Sequence, residues 1–240
     1  MKAVGDRHLL PERLSHTLRT LVFVSFVCSG MLVARFICAD DHRFRFSGLF
    51  GNLLLAWIPL VLALFICRPS AARTPTGIWS AFVAWVLFFP NAFYLTTDLI
   101  HMKKFGTDGI YPWFDMLMTA CFACVGMFLG SLSVYLLHLL VHRRFGWRAG
   151  WLFATAMLAI GSFGIYLGRF LRLNSWDVLT RPVKLTGQIA GLWEPKSLKE
   201  VSAFSVTFFF FSFAVYTALV SMVRLHEQTQ DEQFRHDDVR

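Results

Sequence analysis

The chain has 240 residues, of which 56% are apolar and only 16% charged, with Phe at 26 positions. An average soluble domain carries about 25% charged residues, so a water-soluble fold is excluded, and so apolar a chain does not stay disordered in solution either. The net charge of +8 is scattered through short loops without an arm or basic stripe, which argues against nucleic acid and for contact with lipid phosphates at a bilayer surface.

A helix needs about 20 apolar residues to cross the hydrocarbon, and six stretches qualify. After a polar tail over 1–17, the spans fall at 18–39, 48–67, 76–100, 112–141, 149–171 and 201–223, followed by a polar, frayed tail over 224–240. Residues 18–223 form a single all-α bundle of about six transmembrane helices, because none of the runs alternates as a membrane barrel requires. The first span follows a long charged segment and reads as a targeting span rather than a cleaved signal peptide. Arg35, near one end of that span, is placed to snorkel to the interface.

Local signals support these boundaries. Asp108-Gly-Ile-Tyr-Pro112 is turn chemistry ending in a proline suited to a first helical turn, and Ser197-Leu-Lys-Glu200 has capping-box spacing before the sixth span. Trp79, Trp113, Trp147 and Trp151 lie near span ends, as an interfacial belt requires. Gly126-xxx-Gly130 and Gly164-xxx-Gly168 predict close helix contacts and are compatible with a pairing of the fourth and fifth spans. The connection 178–199, with Val183, Leu185, Ile189, Leu192 and Trp193 among Lys184, Lys196 and Lys199, suits a short interfacial helix or lid. Orientation is nearly balanced, since the 23 Lys and Arg divide into twelve on the side of the termini and eleven on the other. Setting Arg169 and Arg172 aside as site residues leaves nine, which favours cytoplasmic termini.

Polar residues concentrate in three places. After Pro90, which removes a backbone donor from the third span, Asn91, Tyr94, Asp98 and His101 recur at spacings that share one face of an α-helix, with Thr97 beside them. Arg169, Arg172 and Trp176 share a face at the end of the fifth span, followed by Asn174 and Asp177. Asp115 opens the fourth span. Alternating spans bring all three clusters to one membrane surface, where Asp98 requires a cationic partner and Arg169 and Arg172 are the natural ones.

Two readings of this cluster stay open. In one, Arg169, Arg172 and Asn174 bind an anionic lipid headgroup or a phosphorylated lipid carrier. Asp98 and His101 then act on it, and Asn91, Tyr94, Thr97, Asp115, Trp176 and Asp177 support them. In the other, the charges are an ion-pair clasp in a structural or assembly protein; a small-solute transporter is a third possibility. Asp98-xx-His101 supplies two metal-ligand types, but no third ligand is evident and the arginines compete for the carboxylates, so no metal is assigned. Cys121-Phe-Ala-Cys124 has redox-motif spacing but lies roughly 13 Å along its helix and reads as packed thiols. His138 and His142 read as an interfacial pair. No P-loop, dinucleotide fingerprint or nucleophile elbow is present, so cofactor and reaction are unknown.

The runs PNAFYLTTDLIH, WFD at 113–115 and GIYLGRFLRLNSWDVL resemble the bacterial multi-pass membrane family catalogued as domain of unknown function 1361. The likeness covers roughly residues 50–225. It matches at Pro90, Asn91, Tyr94, Thr97, Asp98, His101, Asp115, Gly168, Arg169, Arg172, Asn174, Ser175, Trp176 and Asp177, and departs from the family pattern at Ala92-Phe93. The resemblance implies a protein of the bacterial cytoplasmic (inner) membrane and supplies no activity.

Overall fold

A computed structural model describes residues 6–39, 46–68, 74–104, 109–192 and 194–237. The apolar runs fold as long helices: α1 (Asp6–Cys38), α2 (Ser47–Cys67), α3 (Pro75–Tyr94), α4 (Pro112–Phe145) and α5 (Trp147–Arg169). Two short helices, α6 (Asp177–Thr180) and α7 (Pro182–Gly191), lead into α8 (Pro195–Asp237). Six helices are long and apolar enough to cross a membrane, and no strand occurs among the described residues. Phe23, Phe26, Leu152 and Phe210 turn most of their surface outward, an apolar coat suited to lipid tails. The chain is therefore an all-α polytopic membrane protein. The ends of α1, α3 and α5 and the starts of α2, α4 and α8 share one face.

The third span organises the core. Trp85, Phe89, Ala92 and Phe93 recur at helical spacing and are buried. The rings of Trp85 and Phe89 stack at 4.8 Å between centroids, and Phe93 meets Phe89 edge-on at 5.5 Å. So bulky a ridge needs grooves on both sides, and glycines supply them. On α4, a Cβ at Gly126 would collide with the Ala92 carbonyl oxygen, and one at Gly130 would lie 2.5 Å from the Phe93 ring. On α5, a Cβ at Gly161 or Gly164 would lie 2.5 Å from Phe89 or Pro90 respectively. Both small-residue motifs thus face α3 rather than each other. A Gly-to-Gly pairing of α4 with α5 would leave the aromatic ridge without a seat.

The structure departs from the sequence expectations at four further points. The third span does not stay α-helical to residue 100, for Leu95–Lys104 is a 3₁₀ helix. Pro90 has already weakened the ladder, and the Thr96 and Thr97 hydroxyls donate back to the carbonyls of Phe93 (2.7 Å) and Tyr94 (2.6 Å), competing with the α pattern. Ser197 lies inside α8 and caps nothing, because Pro195 opens that helix. The tail beyond Arg224 continues as helix to Asp237, there being no Gly or Pro to stop it. His138 is buried rather than interfacial, its Nδ1 2.6 Å from the Tyr216 hydroxyl, with Gly150 leaving room for its ring.

Candidate functional site

Among the described residues, two Arg–carboxylate pairs, one buried and one largely shielded from solvent, lie at the face shared by these helix ends. The first joins the third and fifth spans. Arg169, the last residue of α5, donates from Nη1 to Asp98 Oδ1 at 2.8 Å and to the Tyr94 hydroxyl at 3.2 Å. Its Nη2 donates to the Thr97 carbonyl at 2.8 Å. The guanidinium also sits 5.3 Å from the centroid of the Tyr94 ring. The second carboxylate oxygen, Oδ2, accepts from Asn52 Nδ2 of α2 at 3.3 Å. Each side chain of the pair is 10% exposed, so water screens it little.

The second pair joins α1 and α4. Arg35 Nε donates to Asp115 Oδ1 at 2.6 Å and Nη2 reaches Oδ2 at 3.4 Å, a fork on a carboxylate, with side chains 2% and 0% exposed. The Phe46 ring lies 4.6 Å from the guanidinium carbon. Arg35 therefore does not snorkel, since an acidic partner at the same depth and an aromatic cover make the interior available to it. Asp115 gains further from its place in the first turn of α4, where the helix dipole favours a carboxylate.

The other predicted residues are distributed around these pairs. Asn91 Nδ2 donates to Ser175 Oγ at 2.9 Å and to the Phe88 carbonyl, and Ser175 Oγ donates to the Leu87 carbonyl at 2.8 Å. This stitches the turn after α5 to the third span beside Pro90. Asp177 Oδ2 accepts from the Asn174 backbone N–H at 2.8 Å, so Asn174 and Asp177 stabilise that turn instead of facing Asp98. Trp176 and Arg172 are exposed, and Arg172 makes no hydrogen bond or ion pair with the described residues. Asp108, Trp193 and the side chains of His101, Lys184 and Lys196 lie outside the described residues. No group of three metal-ligand side chains gathers among the described residues.

Sequence reasoning missed Asn52 and the burial of Arg35. Asn52 carried a signal, as a lone amide in an otherwise apolar span, where polar groups by default face the bundle interior. The Ser175→Ala variant is expected to lose about 0.5–1.5 kcal/mol, since it removes a donor from Leu87 and an acceptor from Asn91. Thermal melting of the detergent-solubilised protein checks this.

The model of the family described as "Protein of unknown function (DUF1361)" matches residues 52–231. The chain belongs to this family. No curated protein and no solved structure matches it. The DUF1361 match begins at Asn52, so it contains the whole Asn52–Asp98–Arg169 network and Asp115. Arg35, the partner of Asp115, precedes it.

Proposed function

We propose that this DUF1361 protein is a structural or assembly component of its membrane, whose two ion pairs, with the Asn52 hydrogen bond from the second span, clasp the ends of the first five spans at one face. The observation that carries this reading is that the Asp98–Arg169 pair is complete without a ligand. Arg169 serves three acceptors, and each carboxylate oxygen of Asp98 has a donor. In the other reading, Asp98 and His101 act on an anionic lipid headgroup or phosphorylated carrier held by Arg169. That requires the pair to open and strand two desolvated charges, whereas the clasp needs no such step. We place the protein in a bacterial cytoplasmic membrane with both termini inside, the orientation favoured by the loop arginines, and the clasped face is then periplasmic.

A double-mutant cycle tests the clasp. Asp98→Asn and Arg169→Gln are each expected to lower the melting temperature. The double variant should lose less than the two losses added together, with a coupling of about 0.5–3 kcal/mol. Single variants that melt like the wild type would sink the reading.

A further inference from the structure

Among the described residues, Arg172 is the one non-glycine residue with a positive φ, at 54°. That is a conformation glycine adopts freely and an L side chain adopts at a cost. The turn leaves little choice. α5 ends at Arg169, and the chain reverses so that the Leu173 N–H donates to the Leu167 carbonyl at 3.2 Å and Leu173 is buried. Beyond it, Ser175 is tied to Leu87 and Asn91, and Asn174 to Asp177. Position 172 is thus a glycine position by geometry, yet it carries a long cation. Among the described residues the side chain makes no hydrogen bond or ion pair, and it is exposed.

Its location gives the side chain a use. The fifth apolar helix, long enough to cross a membrane, ends at Arg169, and we place Arg172, three residues further on, at the headgroup layer. Trp176, 44% exposed, follows on the same turn, an amphipathic ring suited to that depth. On the stretch that returns to the sixth span the exposed Arg181 and Lys199 are offset by the exposed Glu194 and Glu200, so a preference for anions rests on Arg172 itself. Arg35 and Arg169 are committed to carboxylates, whereas the Arg172 fork is open. We infer that Arg172 binds the phosphate of an anionic lipid headgroup at this face. A guanidinium fork engages two phosphate oxygens at once, and in a zwitterionic lipid the headgroup's own ammonium competes for that phosphate. This inference goes beyond the clasp and stands whether or not the clasp does.

The test is native mass spectrometry of the full chain, loaded with phosphatidylglycerol or phosphatidylcholine, beside its Arg172→Gly variant. The wild type is expected to retain phosphatidylglycerol preferentially. The variant should retain about fivefold less, the contribution of one basic residue at a membrane surface. Its melting temperature in lipid-free detergent should be equal or higher, because glycine relieves the left-handed backbone. Three results would overturn the inference: unchanged phosphatidylglycerol retention in the variant, equal retention of phosphatidylcholine by the wild type, or full displacement of lipid by millimolar inorganic phosphate, which would mark a free-anion site. A lower melting temperature in the variant would also overturn it, since the arginine would then be serving the turn.

Discussion

Replacing Arg35 with methionine is expected to cost about 3–5 kcal/mol, because it removes the guanidinium fork from the buried Asp115 carboxylate. At 0% exposure Asp115 has no route to water short of parting α1 from α4. The double variant Arg35→Met with Asp115→Leu should recover most of that loss, since it removes both charges and keeps apolar volume at the contact. Unfolding of the three proteins in detergent by a graded denaturing surfactant measures the difference. A single variant as stable as the wild type would show that the pair contributes nothing to holding α1.

Gly126→Ala carries the second large effect. The added methyl group meets the Ala92 backbone carbonyl and the Leu95 side chain. A backbone atom inside a helix does not step aside as a flexible side chain does, so α3 and α4 must separate. Overpacking of this kind costs about 1–3 kcal/mol and here belongs at the upper end. Gly168→Ala is the internal control, because its methyl group would rest 3.4 Å from the Tyr94 ring, within ordinary contact, and should leave the melting temperature nearly unchanged. Equal melting of the two variants would mean that α4 and α3 do not pack as closely as described.

These two positions also mark where the sequence stops informing. Span number and helical class are legible because hydropathy reports them residue by residue, and bilayer thickness fixes the length scale. Gly126 and Gly130 announce a close approach but do not name the helix that approaches. That depended on the aromatic ridge of α3, which is itself spread over Trp85, Phe89 and Phe93. Arg35 shows the same limit for charge. Near a span end, snorkelling and burial are equally available until a partner is known, and Asp115 lies 80 residues away. Asp98 is easier to read, because a carboxylate in an apolar setting demands a cation and Arg169 ends a span at the same membrane face. The 3₁₀ form of Leu95–Lys104 was hidden because spacings of three and four look alike over so short a stretch. The backbone of Arg172 is not legible in the sequence, for a left-handed angle belongs to the closed turn and not to the residue type that occupies it.

Both ion pairs join segments made far apart in time. Asp115 follows Arg35 by 80 residues and Arg169 follows Asp98 by 71. At ribosomal speeds of about 5–20 residues per second, each first-made charge waits roughly 4–16 s for its counter-ion. During that interval Arg35 and Asp98 lack the partners that hold them in the finished bundle, and their helices have reason to stay near the insertion machinery or the aqueous boundary. Arrival of α4 and then α5 releases them in order, Arg35 first and Asp98 second. The wiring of charge therefore sets a sequence for biogenesis, in which the outer helix is fastened before the central one is locked.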